Sequence, residues 1–526
     1  MTYRFAYLAC AGIAVHLVGC SVPPAKQPNE PATKRPQVTG SSASTNEPLK
    51  FIVSFPTNVR SQPVTGRVLL FLAKSGSGEP RSTGLLSMNP QPLFAIDVTN
   101  LAPGASVVFT PDKFRAPDAL AFPGRLDRLE SGSYRAQALI DLDNTTRDFN
   151  AGPGNLYSRA VRCELHGARG GAIELSADRA ITNKPPKDTD WVKLVEVRSK
   201  LLSEFHGRNT FLRAAVILPS SYSSNATVKF PALYLIPGFG GRHTSAWNWM
   251  DSEQGRKWRN GKAAHLRIVL DPDAPFGHSV FANSANNGPV GDALVGELIP
   301  EIERRFRAIP EPRARLLTGH SSGGWSSLWL QVAYADFFGG CWSTAPDPVD
   351  FRAFQTVNIY EDRNGHWTRE GSPRPVARSR EKVLLTFQQL NQLEYVAGYG
   401  GQLDSFDAVF SPRGSDGRPR QIIGKVTGTI DRSVAEHWKK YDIRLQLEQN
   451  WSELAPKLKG KLHVIAAAWD TFYLDPAVEY LRDFLAGKDH GGYVEILPGD
   501  HGSVMTEALR ERIEREIAAA FAAAHP

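Results

Sequence analysis

The sequence predicts an α/β domain on a mostly parallel sheet, preceded by a β-sandwich and interrupted by one long insertion. Three observations predict it. Beyond about residue 195, apolar runs such as Ala232–Ile236, Leu266–Leu270 and Tyr493–Leu497 alternate with segments of helical spacing, as when parallel strands are covered on both faces. From Leu49 to Asp178 the apolar runs are short and broken by Gly, Pro, Asn and Asp, the pattern of a sandwich of seven to nine strands. The interval 351–456 breaks the α/β rhythm and exceeds any ordinary loop; it reads as a helical cap.

The remaining boundaries follow from composition. The segment from Asp178 to Asp190, with Lys184-Pro185-Pro186-Lys187, reads as a linker. Met1-Thr2-Tyr3-Arg4 and the apolar run Phe5–Val18 form a signal-like start too short to span a bilayer comfortably. Leu17-Val18-Gly19-Cys20 then resembles a bacterial lipobox, which makes residues 1–19 a lipoprotein signal peptide and Cys20 the lipidated first residue of a cell-envelope protein. Residues 20–48 are rich in Pro, Ser, Thr and Lys and read as a flexible tether. The 526 residues are 41% hydrophobic and 22% charged, enough for sizeable cores, and the net charge of +7 is spread without a basic block, so no nucleic-acid partner is expected. Of the other cysteines, Cys163 and Cys341 are left either to pair or to remain free thiols.

The chemistry centres on Gly319-His320-Ser321-Ser322-Gly323-Gly324. An apolar run, Ala314–Thr318, precedes it, and a helical pattern from Ser322 to Tyr334 follows. Strand, tight Gly-x-Ser-x-Gly turn and helix make the nucleophile elbow of an α/β hydrolase, with Ser321 as the nucleophile. Serine needs a base, and the base needs an orienting acid. His501 directly follows the last predicted strand, and Asp470 ends the run Val464–Trp469; both fall at the carboxyl edge of the sheet, in the chain order serine, acid, histidine. Asp347 and Asp350, after the preceding strand, are alternative acids, and Asp475 before Pro476 reads as an N-cap. Backbone donors for an oxyanion are expected from Ser322 and from Phe239 or Gly240 in Pro237-Gly238-Phe239-Gly240-Gly241. Asn283, Asn287, Trp325 and Asp347 are candidate pocket residues. The segment Asp141–Asp148 has a faint calcium-loop look but lacks the central glycine and closing glutamate, so it reads as a polar turn. No zinc-type motif stands out, and neither metal nor cofactor is expected.

Leu235–Gly241, Gly319–Gly324, Trp342-Ser343-Thr344-Ala345-Pro346-Asp347, Trp469–Tyr473 and Gly499-Asp500-His501-Gly502 together resemble an esterase family of α/β hydrolases. That family includes feruloyl and acetylxylan esterases, enterochelin esterase-like proteins, S-formylglutathione hydrolase and mycolyltransferases. The resemblance covers residues 195–526, weakly over 351–456, and leaves the β-sandwich outside. It implies a Ser321–Asp470–His501 triad, hydrolysis of small-molecule or carbohydrate-linked esters, and no cofactor. Pro237 stands where the family often has histidine. Acyl transfer by the same triad, and a non-catalytic surface-binding lipoprotein, are the alternative readings.

Overall fold

The computed structural model describes residues 47–524 apart from 75–77, 83–86, 143–144, 183, 224–225 and 262–263. The expected signal peptide, Cys20 and nearly all of the expected tether lie outside the described residues. The described residues of 49–180 form the expected sandwich, with ten strands among them rather than seven to nine. Ser106–Phe109, Lys50–Ser54 and Ala172–Ser176 make a three-stranded sheet. It packs on a seven-stranded sheet whose central members are Val64–Ala73 and Gly132–Asp141. Phe51, Val53 and Phe109 meet Val68, Leu70, Leu72 and Ile140 between the layers.

The run Val68-Leu69-Leu70-Phe71-Leu72 does not alternate because both of its faces are covered. Its odd-numbered members Leu69 and Phe71, with Leu93, Phe122 and Leu139, pack against Leu393, Val396 and Ala397 of the 351–456 interval. The sandwich therefore shares a dry interface with the insertion. Arg67 reinforces it: Nη1 donates to the last-turn carbonyls of Tyr395 (2.9 Å) and Val396 (3.1 Å), while Asp97 holds the other side of the guanidinium. A cation at those free carbonyls also complements the helix dipole.

The second unit is built on an eight-stranded sheet. Its strands are β1 (Val192–Ser199), β2 (Thr210–Ile217), β3 (Ala232–Ile236), β4 (Leu266–Leu270), β5 (Arg315–His320), β6 (Gly340–Thr344), β7 (Leu462–Ala467) and β8 (Tyr493–Leu497). They lie in the order β1-β2-β4-β3-β5-β6-β7-β8. β2 runs antiparallel to both neighbours and the remaining pairs are parallel. This is an α/β-hydrolase sheet. β1 starts just beyond the expected linker and is an edge strand, paired on one side only with β2 and buried at Val192, Val195 and Ser199. The helices that position the site are α1 (Ser322–Ala333), α2 (Phe387–Ala397), α3 (Gln402–Phe410), α4 (Arg432–Trp438), α5 (Ile443–Leu458), α6 (Asp475–Leu485) and α7 (Glu507–Ala524). The expected helix over 290–305 is one continuous path with a π turn at Leu294–Leu298.

The insertion departs from the expected helical cap in two ways. It contains a β-hairpin, Pro375–Ser379 with Lys382–Thr386, beside α2, α3 and α4. Its last helix, α5, packs along α1 and belongs to the scaffold. An aromatic cluster joins the two: the Trp325 ring of α1 lies 5.0 Å from Phe410, which lies 5.1 Å from Trp438. Cys163 sits in the sandwich and Cys341 is buried in β6; both are free thiols.

Leu393 is 4% exposed in the sandwich–insertion interface. Leu393→Ala is expected to cost about 2–5 kcal/mol, the range for emptying a buried leucine site. An unchanged urea-unfolding midpoint would show that the two units do not stabilise each other through this helix.

Candidate active site

Ser321 is held at φ 60°, ψ −128° at the junction of β5 and α1, a conformation that costs a non-glycine residue of order 1–3 kcal/mol. Crowding on all sides enforces it. A Cβ on Gly319 would stand 2.1 Å from the Gly323 carbonyl oxygen, and one on Gly323 would stand 2.0 Å from that of Ile236. The two glycines are required because helix, nucleophile strand and neighbouring strand touch backbone to backbone. The Ser321 amide is anchored by the Thr344 carbonyl of β6 at 3.0 Å.

Asp470 and His501 come together beside this turn. His501 Nδ1 and Asp470 Oδ2 are 2.8 Å apart, and Asp470 Oδ1 accepts the Phe472 amide at 2.8 Å. A fully buried carboxylate with both oxygens engaged can only accept, so Nδ1 carries the proton and Nε2 is left to exchange one. Asp500 shapes the loop by accepting the Gly502 and Ser503 amides. Burial opposes the charged imidazolium of His501, but Asp470, by charge and hydrogen bond, with Asp347 and Asp500, raises its pKa above the usual histidine value. Ser321 Oγ does not hydrogen-bond the imidazole in this structure; such contacts commonly tighten only when substrate is bound. The ring of His320 lies 4.7 Å from that of His501.

The glycine-rich loop after β3 faces the elbow. A Cβ on Gly238 would stand 3.0 Å from the His320 carbonyl oxygen and 3.3 Å from Ser321 Cβ. Among the described residues, the amides of Phe239, Gly240 and Ser322 have no acceptor. Gly240 adopts φ 85°, which a side chain would disfavour. His278 is completely buried and burial, with the charge of Arg147, pushes its pKa down to about 3. The neutral ring accepts the Val280 amide at Nδ1, so Nε2 donates to the Pro237 carbonyl at 3.0 Å. At the loop's far end, Arg242 makes a two-pronged pair with Asp271 at 2.8 and 2.9 Å.

Two residues that sequence reasoning passed over tie the insertion to the site. Arg378 of the hairpin donates from Nε to the Asp470 carbonyl (2.9 Å) and from Nη2 to Asp475 (2.8 Å), and its amide bonds the Thr471 carbonyl. Asp475, expected to be an N-cap, is thus an ion-pair partner, and no side-chain cap bond is made at that helix start. Gln402 of α3 donates to Ser322 Oγ at 3.2 Å and to Asp347 at 3.3 Å. Nothing local in either stretch marks these roles, because the partners are distant in the chain.

Asp347 accepts the Ser322 hydroxyl at 2.5 Å, and Asp350 is paired with Arg352 and Arg444. Neither alternative acid bonds His501. Burial pushes the Asp347 carboxyl up to about 6, against the Ser322 hydrogen bond and the attraction of His501. The four expected pocket residues fall in different settings. Trp325 is buried under the insertion's aromatics with its indole N–H on the Pro348 carbonyl. Asn287 is buried, and Asn283 holds the Asp292 amide and Tyr334. The Trp325 ring is thus used in packing and the Asn283 amide in holding the Asp292 amide, while Asp347 stands beside the elbow. No cluster of three or more metal-binding side chains occurs among the described residues.

Residues 208–446 match the family model described as "Putative esterase". This stretch belongs to the esterase family. The match includes Ser321 and the oxyanion loop and most of the insertion that the sequence had suggested would fit poorly; it ends before Asp470 and His501. A ferulic acid esterase structure aligns over 63% of this chain and 99% of its own, at 16% identity and TM-score 0.39. A fluorophosphonate-binding serine hydrolase of Staphylococcus aureus aligns over 63% and 98%, at 16% identity and TM-score 0.38. An S-formylglutathione hydrolase of Agrobacterium tumefaciens aligns over 64% and 98%, at 15% identity and TM-score 0.38. No curated protein sequence matches the chain. The esterase domain makes this protein a hydrolase.

Two outcomes follow for the site. Gly323→Ala must push β3 and α1 apart, and activity should fall by at least about a hundredfold, the scale of a 1 Å misplacement of reacting groups; near-normal ester turnover would refute the crowding account. His501 must be neutral to accept a proton, so its raised pKa places the acid limb of kcat/KM above the ordinary histidine range. Removing the Asp347 charge in Asp347→Asn should move that limb to lower pH. A limb that stays put or moves upward in a pH-rate profile would contradict it.

Proposed function

We propose that this esterase cleaves carboxylic esters through an acyl-enzyme on Ser321. Ser321 Oγ attacks the carbonyl carbon as its proton passes to His501 Nε2, giving a tetrahedral intermediate whose oxygen takes the negative charge. Asp470 keeps the ring in the productive tautomer and offsets the imidazolium charge. The free amides of Ser322 and Phe239, with Gly240 adjacent, stabilise the oxyanion, and losing one such donor typically costs about 2.7–4 kcal/mol. His501 then gives its proton to the leaving alkoxide, and a water activated by the same ring releases the acid. The observation that carries this reading is the 2.8 Å Asp470–His501 bond beside a serine held on a strained elbow.

The same proposal places the enzyme in the bacterial cell envelope, anchored through lipidated Cys20. The support is the lipobox-like Leu17–Cys20 and the apolar stretch before it. No helix among the described residues is long and apolar enough to cross a membrane.

Wild type should hydrolyse a short p-nitrophenyl ester and be labelled by a fluorophosphonate, and Ser321→Ala should lose both. Residual activity of about 10³–10⁴ over water, from oxyanion donors and binding, is compatible with this mechanism. Equal labelling of the two proteins would defeat it. For the anchor, Cys20→Ala should leave the membrane fraction; a variant that still sediments with membranes removes that part.

A further inference from the structure

We propose that the β-sandwich completes the esterase's oxyanion hole from outside the catalytic domain, with Arg147 as the positioning residue. Arg147 follows the sandwich strand Gly132–Asp141, in the segment that reads as a polar turn. Its side chain is only 4% exposed and crosses into the esterase domain. Nη2 donates to the Gly241 carbonyl at 3.1 Å, Nε lies 3.3 Å from Asp273, and the guanidinium sits 5.0 Å from the centre of the Phe239 ring. All three contacts fall on the loop that offers the Phe239 amide or on the acid beneath it.

The surroundings leave this side chain little freedom. Arg242, the next residue of the loop, reaches Asp273 at 3.1 Å while pairing with Asp271. Asp273 is thus shared by one arginine from each domain. His243 also bonds Asp271, at 2.7 Å. From the other side, the turn before α3 closes over the Arg147 backbone: a Cβ on Gly400 would stand 2.5 Å from the Arg147 carbonyl oxygen. Sandwich, insertion and catalytic domain therefore meet at one residue.

Function explains this better than adhesion between domains. Burying a guanidinium costs several kcal/mol even after relaxation, and apolar packing of the kind made by Leu69, Phe71 and Val396 would hold the domains together without that cost. The contacts are also specific to the loop's geometry. His278 fixes the Pro237 carbonyl at one end and Arg147 the Gly241 carbonyl at the other. Between these two pins lies the Phe239 peptide, its ring held against the guanidinium face. An oxyanion donor contributes fully only when it is already aimed at the charge that develops, and Arg147 supplies part of that aim without touching substrate.

This inference rests on the acyl-enzyme reading of Ser321, and the test separates the two. Arg147→Met and Arg147→Lys would be assayed in the full chain with a short p-nitrophenyl ester and with an alkyl boronic acid, whose serine adduct places an oxygen in the hole. In both variants kcat should fall about tenfold to a hundredfold, below the ~10²–10³ of deleting a donor outright. KM should stay within about twofold, and boronate affinity should fall by the same factor as kcat, because the loss is confined to the tetrahedral state. A folding defect alone would lower the active fraction, counted by fluorophosphonate titration, and leave kcat per active site unchanged. If Arg147→Met does not fold, Arg147→Lys, which keeps a cation near Asp273 without the forked donor, decides the matter. Folded variants whose kcat and boronate affinity match wild type would overturn the role of Arg147. Wild type inert to both ester and boronate would instead overturn the reading of Ser321.

Discussion

The active centre depends on a backbone contact: β5, α1 and β3 meet so closely at Gly319, Gly323 and Ile236 that Ser321 must occupy a strained conformation. The contact projects Oγ clear of the sheet and sets its own amide neighbour, Ser322, at the free start of α1. It also brings Gly238 against His320 and Ser321. Ser321 and the free amides of Ser322 and Phe239 are thus positioned by the same packing, and the strain is sustained by the buried sheet around it.

The loops around that contact are held by parts of the chain outside the core sheet. Arg378 of the hairpin grips the Asp470 turn, Gln402 of α3 grips Ser322 and Asp347, and Arg147 of the sandwich grips Gly241. Each uses a long polar side chain to reach a backbone carbonyl or a hydroxyl of a site loop. Such bonds in a buried setting are worth more than at the surface, and leaving the partner unpaired is costly. The insertion and the sandwich are accordingly structural members of the site, and the dry contact of Leu69, Phe71 and Val396 keeps them in fixed relation.

Charge around His501 is arranged in the same spirit. Asp470 bonds the ring directly, while Asp347 and Asp500 act through space, and together they outweigh the burial that would favour the neutral form. Asp347 is itself pushed up to about 6 by burial. The two groups sense each other across the elbow, so their titrations are linked.

Much of this was legible in the sequence. Strands β3, β4 and β8 fall where their runs begin and end, and β3, inside the sheet, is apolar throughout because a buried parallel strand has both faces covered. The glycines at 319 and 323 announced the tight turn, and the spacing of Ser321, Asp470 and His501 followed the order of strand ends. Trp325 packs under the insertion's aromatics, which the sequence does not show, since an aromatic near a site motif has the same local signature whether it packs or binds. Arg147 and Arg378 were silent for a different reason: they act on residues 94 and 92 positions away. The sequence by itself determined the alternation of strands and helices around the sheet and the strand–turn–helix at Ser321, because periodicity and turn residues are local properties. Only the tertiary structure decided which distant arginines hold the loops, because a buried charge finds its partner through the packing of whole layers.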